Sequence, residues 1–179
     1  MGTAGSTTLV LQTVLPALLL TDGDSTLTLE GGTHNPFVPP FDFLADAYLP
    51  RLNCIGPNVE ATLDRPGFYP VGGGRMTAHI RPTRRFERLE LLDRGDIVQR
   101  RVRALVANLP RHIGHRQCDT IAKKTGWKKS CFHVEDVTGS HGPGNVVLIQ
   151  LASRHVTEVF TGFGRRGVQA EQVAAGVLL

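Results

Sequence analysis

Cysteine is scarce in this sequence, and the three that occur, Cys54, Cys118 and Cys131, never fall into a CxxC pair. That spacing argues against a structural zinc site, and an odd, sparse set fits a reducing compartment, so a cytoplasmic protein is expected. Aromatic residues are equally few, 6% of the chain with one Trp and two Tyr. Long apolar runs are missing. The longest, Leu9–Leu20, is broken by Gln12, Thr13 and Pro16, too short to span a bilayer, and no basic residue precedes it as in a secretory signal. No GxSxG, HExxH or DFG motif occurs, and Gly2–Ser6 lacks the Lys of a P-loop. Common hydrolase, metalloprotease, kinase and Walker-type signatures are therefore absent.

Twenty Gly and 11 Pro are plentiful, without collagen-like periodicity, and with 41% hydrophobic residues they describe a globular, turn-rich chain of 179 residues. The net charge of +4 is unevenly spread. Residues 1–80 hold three Arg against seven Asp/Glu, and residues 81–179 hold 17 Lys/Arg against nine Asp/Glu. The charge changes sign near residue 81, a candidate boundary.

Periodicity predicts a helix over Thr7–Leu20, apolar on both faces and therefore expected to be buried nearly all round by something this sequence does not supply. A strand follows at Ser25–Glu30, then a glycine- and proline-rich loop at Gly31–Pro40. A helix over Phe41–Asn53 opens with Pro40 at its first position. Strands are expected at Val59–Leu63 and Met76–Arg81, joined through a bend at Gly72-Gly73-Gly74. One more strand in front would complete βαβαββ, a split βαβ layer. The second half restarts with strands at Leu89–Leu92 and Val98–Ala107 and a helix at Arg111–Thr125. Strands then follow at Ser130–Val137, Val146–Ala152 and Val156–Gly162, and a helix begins at Ala170. Both ends read as cut within an element. The fold class is α+β, with residues 1–88 and 89–179 as two units.

Several groups could carry chemistry. The Gly31–Pro40 loop offers His34 and Asn35 in a rigid frame that lets a ligand approach the backbone; a plain strand-to-helix connection explains the same composition. Gln12 sits among apolar residues and needs a partner, either a nearby backbone group or a ligand. Gly2–Ser6 could cradle a phosphate at a helix start. Arg100, Arg101 and Arg103, with Lys123, Lys124, Lys128 and Lys129 around Trp127, suit nucleic acid or a solvated face. His112 and His115 lie three apart on one helix but lack a third ligand, so no metal site is expected. These patterns alone define no reaction.

Longer segments carry a resemblance. Gly2–Pro16, Gly31-Gly32-Thr33-His34-Asn35-Pro36, Pro39-Pro40-Phe41-Asp42-Phe43 and Gly67-Phe68-Tyr69-Pro70-Val71-Gly72-Gly73-Gly74 resemble the RNA 3'-terminal phosphate cyclase family. So do Arg94-Gly95, Pro110-Arg111-His112 and Gly142-Pro143-Gly144-Asn145. The 31–36 segment resembles the bacterial branch more than the eukaryotic one.

The resemblance implies a large domain of three βαβαββ repeats with a smaller domain inserted after the second. Residues 1–88 would match repeat two without its first strand, and 89–179 the inserted domain, its last helix truncated. It implies an ATP-dependent enzyme, with a divalent metal (Mg or Mn), that converts an RNA 3'-phosphate end to a 2',3'-cyclic phosphate through an adenylylated histidine. Gln12, Pro39 and Phe43 match nucleotide-contacting positions, and His34 and Asn35 share their loop. The nucleophilic histidine and the metal-binding glutamate match nothing here, so no catalytic residue is expected in this chain. The family's catalytically inactive relatives, or a gene remnant, are the alternative.

Overall fold

The computed structural model describes residues 4–178, so the first two residues of the Gly2–Ser6 turn lie outside the described residues. The architecture is mixed α+β, with one three-stranded and one four-stranded sheet.

Helix α1, Thr7–Leu18, begins where the Ser6 hydroxyl accepts the Leu9 N–H at 3.1 Å, a side-chain N-cap. It buries Thr7, Thr8, Leu11 and Leu15. Leu9 and Val10 are exposed: only one stripe of this apolar helix meets a sheet, and the cover expected over its other face is not among the described residues.

That sheet has the order β1 (Ser25–Gly31), β3 (Gly74–Arg81), β2 (Asn58–Arg65), all antiparallel. Its inner face, with Val59, Met76, Ala78 and Ile80 buried, packs on Leu11, Leu15, Leu44 and Leu49. Thr26, Glu60, Arg75 and His79 alternate onto the opposite face, the period-2 pattern of a sheet wet on one side. Just past the end of β1, Gly32 makes one isolated parallel bridge with Ser6.

The segment Phe41–Asn53 is helical throughout, in three pieces: α2 (Phe41–Phe43), a π turn (Leu44–Tyr48) and α3 (Leu49–Asn53). Pro40 caps it rather than occupying its first turn. Pro50 has no N–H for the Asp46 carbonyl, and the turn just before it is the wider π turn.

The second sheet runs β5 (Phe132–Asp136), β4 (Ile97–Ala107), β6 (Gly144–Ser153), β7 (Thr157–Phe163). β4 and β5 are parallel, as a crossover through helix α4 (His112–Thr125) requires. Gly126, at φ 67°, ends α4 in the left-handed conformation that glycine adopts without a Cβ penalty. Helices α4 and α5 (Ala170–Gly176) cover one face over Val102, Ala104, Val147 and Ile149. The other face, with Leu105, Ala107, Val146 and Leu148, is covered by Phe68 from the first half. Covered on both sides, β6 is buried along most of its length.

The strand expected at Leu89–Leu92 does not form. Residues 86–91 have no regular structure and are exposed, and Leu92 is 92% exposed, because no neighbouring strand offers a ladder. We propose the boundary at 88/89 as a division between two units. Limited proteolysis is expected to cut first within residues 82–92, where the backbone is exposed and mostly unladdered. Early cuts inside either sheet would contradict it.

Candidate functional site

Four motif segments far apart in sequence converge where the two halves meet. Thr33 and His34 both donate their backbone N–H to Gly67 O, at 2.9 and 3.0 Å, and the Gly67 N–H donates to Thr33 Oγ1 at 2.9 Å. The His34 ring stacks on Phe68 with centroids 4.9 Å apart. Phe68 in turn lies flat on Gly144: a Cβ there would stand 2.0 Å from the Phe68 ring. The Gly31–Pro36, Gly67–Gly74 and Gly142–Asn145 segments thus form one knot, and α2 closes it.

His34 is 1% exposed and both ring nitrogens are engaged. Nε2 lies 2.9 Å from Asp42 Oδ2, and Nδ1 2.8 Å from Thr33 Oγ1. Thr33 Oγ1 accepts from Gly67 N–H and has two acceptors within reach of its own proton, His34 Nδ1 and, more distantly, Gly67 O at 3.4 Å, while His34 Nε2 faces the carboxylate. Asp42 Oδ1 accepts from Arg103 Nη1 at 2.5 Å, and Arg103 makes a two-pronged pair with Glu135 at 2.8 and 2.7 Å. A chain of five side chains therefore runs from β1's end to β5 in the other half.

The charges are matched along it. Burial pushes the Asp42 carboxyl up, but the hydrogen bond and charge of His34, with Arg103, outweigh burial and hold it below its ordinary value. The hydrogen bond from Arg103 likewise lowers Glu135. Beside them Asp46 goes the other way: burial and the Asp42 charge raise it, although Gln150 donates to it.

The remaining expected site residues take distinct places. Asn35 is buried in the loop, donating to Ala4 O at 3.3 Å and accepting the Phe37 N–H at 3.1 Å. The Pro39 carbonyl accepts from Thr8 Oγ1 at 2.7 Å, which fastens the loop to α1. Gln12 lies one turn beyond Thr8 on the same helix face, half-buried, and its amide has no hydrogen-bond partner among the described residues. Phe43 is half-buried; Phe41, not Phe43, packs on the first core. Of these residues, Gln12 on α1 keeps an unpartnered amide and Phe43 an incompletely covered ring.

Other candidates are drawn apart or occupied. Arg103 is in the ion-pair chain, Arg101 stands 3.7 Å from Glu135, and Arg100 lies over Trp127 at 5.8 Å. His112 and His115 are exposed, and no cluster of three or more metal-ligating side chains occurs among the described residues. Sequence reasoning missed Asp42 and Arg103 as partners because they are 61 residues apart. It also missed the buried amide pair in which Gln117 Nε2 donates to Asn145 Oδ1 at 2.7 Å and Asn145 Nδ2 returns a bond at 2.9 Å.

The fold and this site can be set beside known proteins. A family model described as RNA 3'-terminal phosphate cyclase matches residues 1–172. The chain belongs to that family. A relative named RNA 3'-terminal phosphate cyclase from Koribacter versatilis (strain Ellin345) is 49% identical over 173 residues, covering 97% of this chain and 49% of the relative. Proteins of the same name from Pseudomonas aeruginosa (strain UCBPP-PA14) and Ralstonia nicotianae are 43% and 45% identical, each over 98% of this chain and about half of their own length. The chain spans about half the length of the curated relatives it matches. Among the described residues no helix is long and apolar enough to cross a membrane.

Proposed function

We propose that this chain is part of an ATP-dependent RNA 3'-terminal phosphate cyclase and supplies one wall of its nucleotide pocket. A histidine outside these 179 residues takes the adenylyl group from the α-phosphate of ATP as pyrophosphate leaves, the adenylyl group passes to an RNA 3'-phosphate, and the neighbouring 2'-hydroxyl attacks that phosphate, closing the cyclic phosphate as AMP leaves. The observation that carries the reading is the pairing of family membership with an unpartnered Gln12 amide and a part-covered Phe43 ring.

The roles follow from chemistry. Gln12 can both donate to and accept from a base edge or ribose. Pro39 offers a rigid apolar surface, and Phe43 a ring face for the adenine. His34 and Asn35 act through the loop, since their polar atoms are bonded within it. A divalent metal, Mg or Mn, would neutralise phosphate charge, held by ligands outside this chain. The element order of the first half, with the parallel bridge just past the end of β1, supports a βαβαββ repeat lacking its first strand. Residues 89–179 are then the inserted domain.

Phe43→Ala tests the reading in the full-length protein. Loss of base–aromatic contact is worth about 1–3 kcal/mol, so ATP affinity should fall roughly tenfold or more while thermal unfolding shifts little. A large loss of thermal stability with unchanged ATP affinity would make Phe43 a packing residue and remove it from the pocket.

A further inference from the structure

The ion-pair chain has a function that neither half explains alone. Asp42 begins the helix that closes the loop, and its partner Arg103 comes from the middle of β4, in the other sheet. Within the first half, Asp42 is bonded to His34. Main-chain bonds hold the loop at a handful of points: Thr33 and His34 N–H to Gly67 O, Tyr69 N–H to His34 O at 3.1 Å, Phe41 N–H to Thr33 O at 2.9 Å, and Val38 N–H to Asn35 O at 3.3 Å. Arg103 is itself fixed from behind by Glu135 on β5, through a fork whose two bonds set the plane of the guanidinium.

We propose that Arg103 is a positioning residue for the Thr33–Phe43 loop: through Asp42 and His34 it sets the loop's conformation, so the second half controls nucleotide affinity at the first. The affinity clause rests on the proposed nucleotide pocket; the control of loop conformation does not. Three features support it. The chain of bonds is continuous from β5 to the loop. Every charged or ring atom in it that faces inward is partnered, so rotating one member leaves another buried without a partner. Phe68 backs the His34 ring, which removes the slack by which the ring could follow a displaced Asp42. Lysine in place of Arg103 would keep the charge but not the fork, because one ammonium cannot hold Glu135 in two-pronged geometry while reaching Asp42.

Hydrogen exchange by mass spectrometry on the full-length protein tests this with Arg103→Lys and Arg103→Met. Loop amides, His34 and Phe41 among them, should exchange at least tenfold faster in Arg103→Met and by less in Arg103→Lys. The β1–β3 ladder amides should keep their protection, which a merely structural role would not allow. If Arg103→Met does not fold, the double variant Asp42→Asn/Arg103→Met removes both charges and should show the same local loss. ATP affinity, measured on the same proteins, should fall about tenfold with the loop's protection. Unchanged loop exchange, or loss spread evenly over loop and ladder, overturns the proposal, as does a freed loop with full ATP affinity. If the unsubstituted protein binds no ATP, the pocket reading fails, and the exchange pattern still decides the positioning.

Discussion

Asp42→Ala should be among the most damaging single changes in the chain, costing about 3–5 kcal/mol of folding stability at pH 7. The Asp42 carboxylate is 7% exposed and satisfies two neighbours, His34 Nε2 at 2.9 Å and Arg103 Nη1 at 2.5 Å. Removing it leaves a buried imidazole nitrogen and a mostly buried guanidinium each short of a partner. Asp42→Asn keeps the shape and one acceptor and should cost less. Chemical denaturation of the three proteins gives the order. An Asp42→Ala stability within about 0.5 kcal/mol of the unsubstituted chain would show the buried pair to contribute nothing.

The same pair sets a pH dependence. The Asp42 carboxyl is held below its ordinary value in the fold, and the unfolded chain titrates near about 3.9. The unfolded state therefore binds more protons between those two values, and stability rises with pH across that window. The contribution is present above pH ~4 and is lost as pH falls through the folded value. Glu135, lowered by Arg103, adds in the same direction. Asp42→Asn should flatten the acid limb below pH 4, read by chemical denaturation at a series of pH values.

Local patterns in the sequence define the elements well where one face is buried. The alternation through β3, Met76, Ala78 and Ile80 against Arg75, His79 and Arg81, is visible because the first sheet is wet on one side. The 3.6-residue period predicts α4 to within one residue. Leu89–Leu92 misleads for a physical reason: strand alternation describes a surface able to pair, not the presence of a partner. The site is legible only in part. Gln12, Pro39 and Phe43 stand out through resemblance, but composition cannot show which loop atoms remain free. His34 reads like a ligand group in sequence, whereas the fold commits both its nitrogens to Thr33 and Asp42. Pairings such as Asp42–Arg103 depend on how two sheets dock, which no local period encodes.

Phe68 is the main apolar contact in that docking, beside the polar pairs Asp42–Arg103 and Asp46–Gln150, and Phe68→Ala should destabilise the chain by about 3–5 kcal/mol. The ring is 2% exposed and packs with Leu105, Ala107, Val146 and Leu148 on the face of the second sheet away from its helices. Its other side stacks on His34, so its loss opens a cavity and also frees the histidine. The ring reaches this position only because Gly144 has no side chain. Gly144→Ala would place a methyl 2.0 Å from the Phe68 ring, inside contact distance, and must displace the ring or the strand. A double-mutant cycle separates this from two independent losses. With Phe68 already truncated, the Gly144→Ala methyl points into vacated space, so the pair should cost less than the sum of the singles, by 1 kcal/mol or more on the scale of coupled neighbours, about 0.5–3 kcal/mol. Additive costs in urea denaturation would mean that the two residues do not share one contact, and that the halves are held together elsewhere.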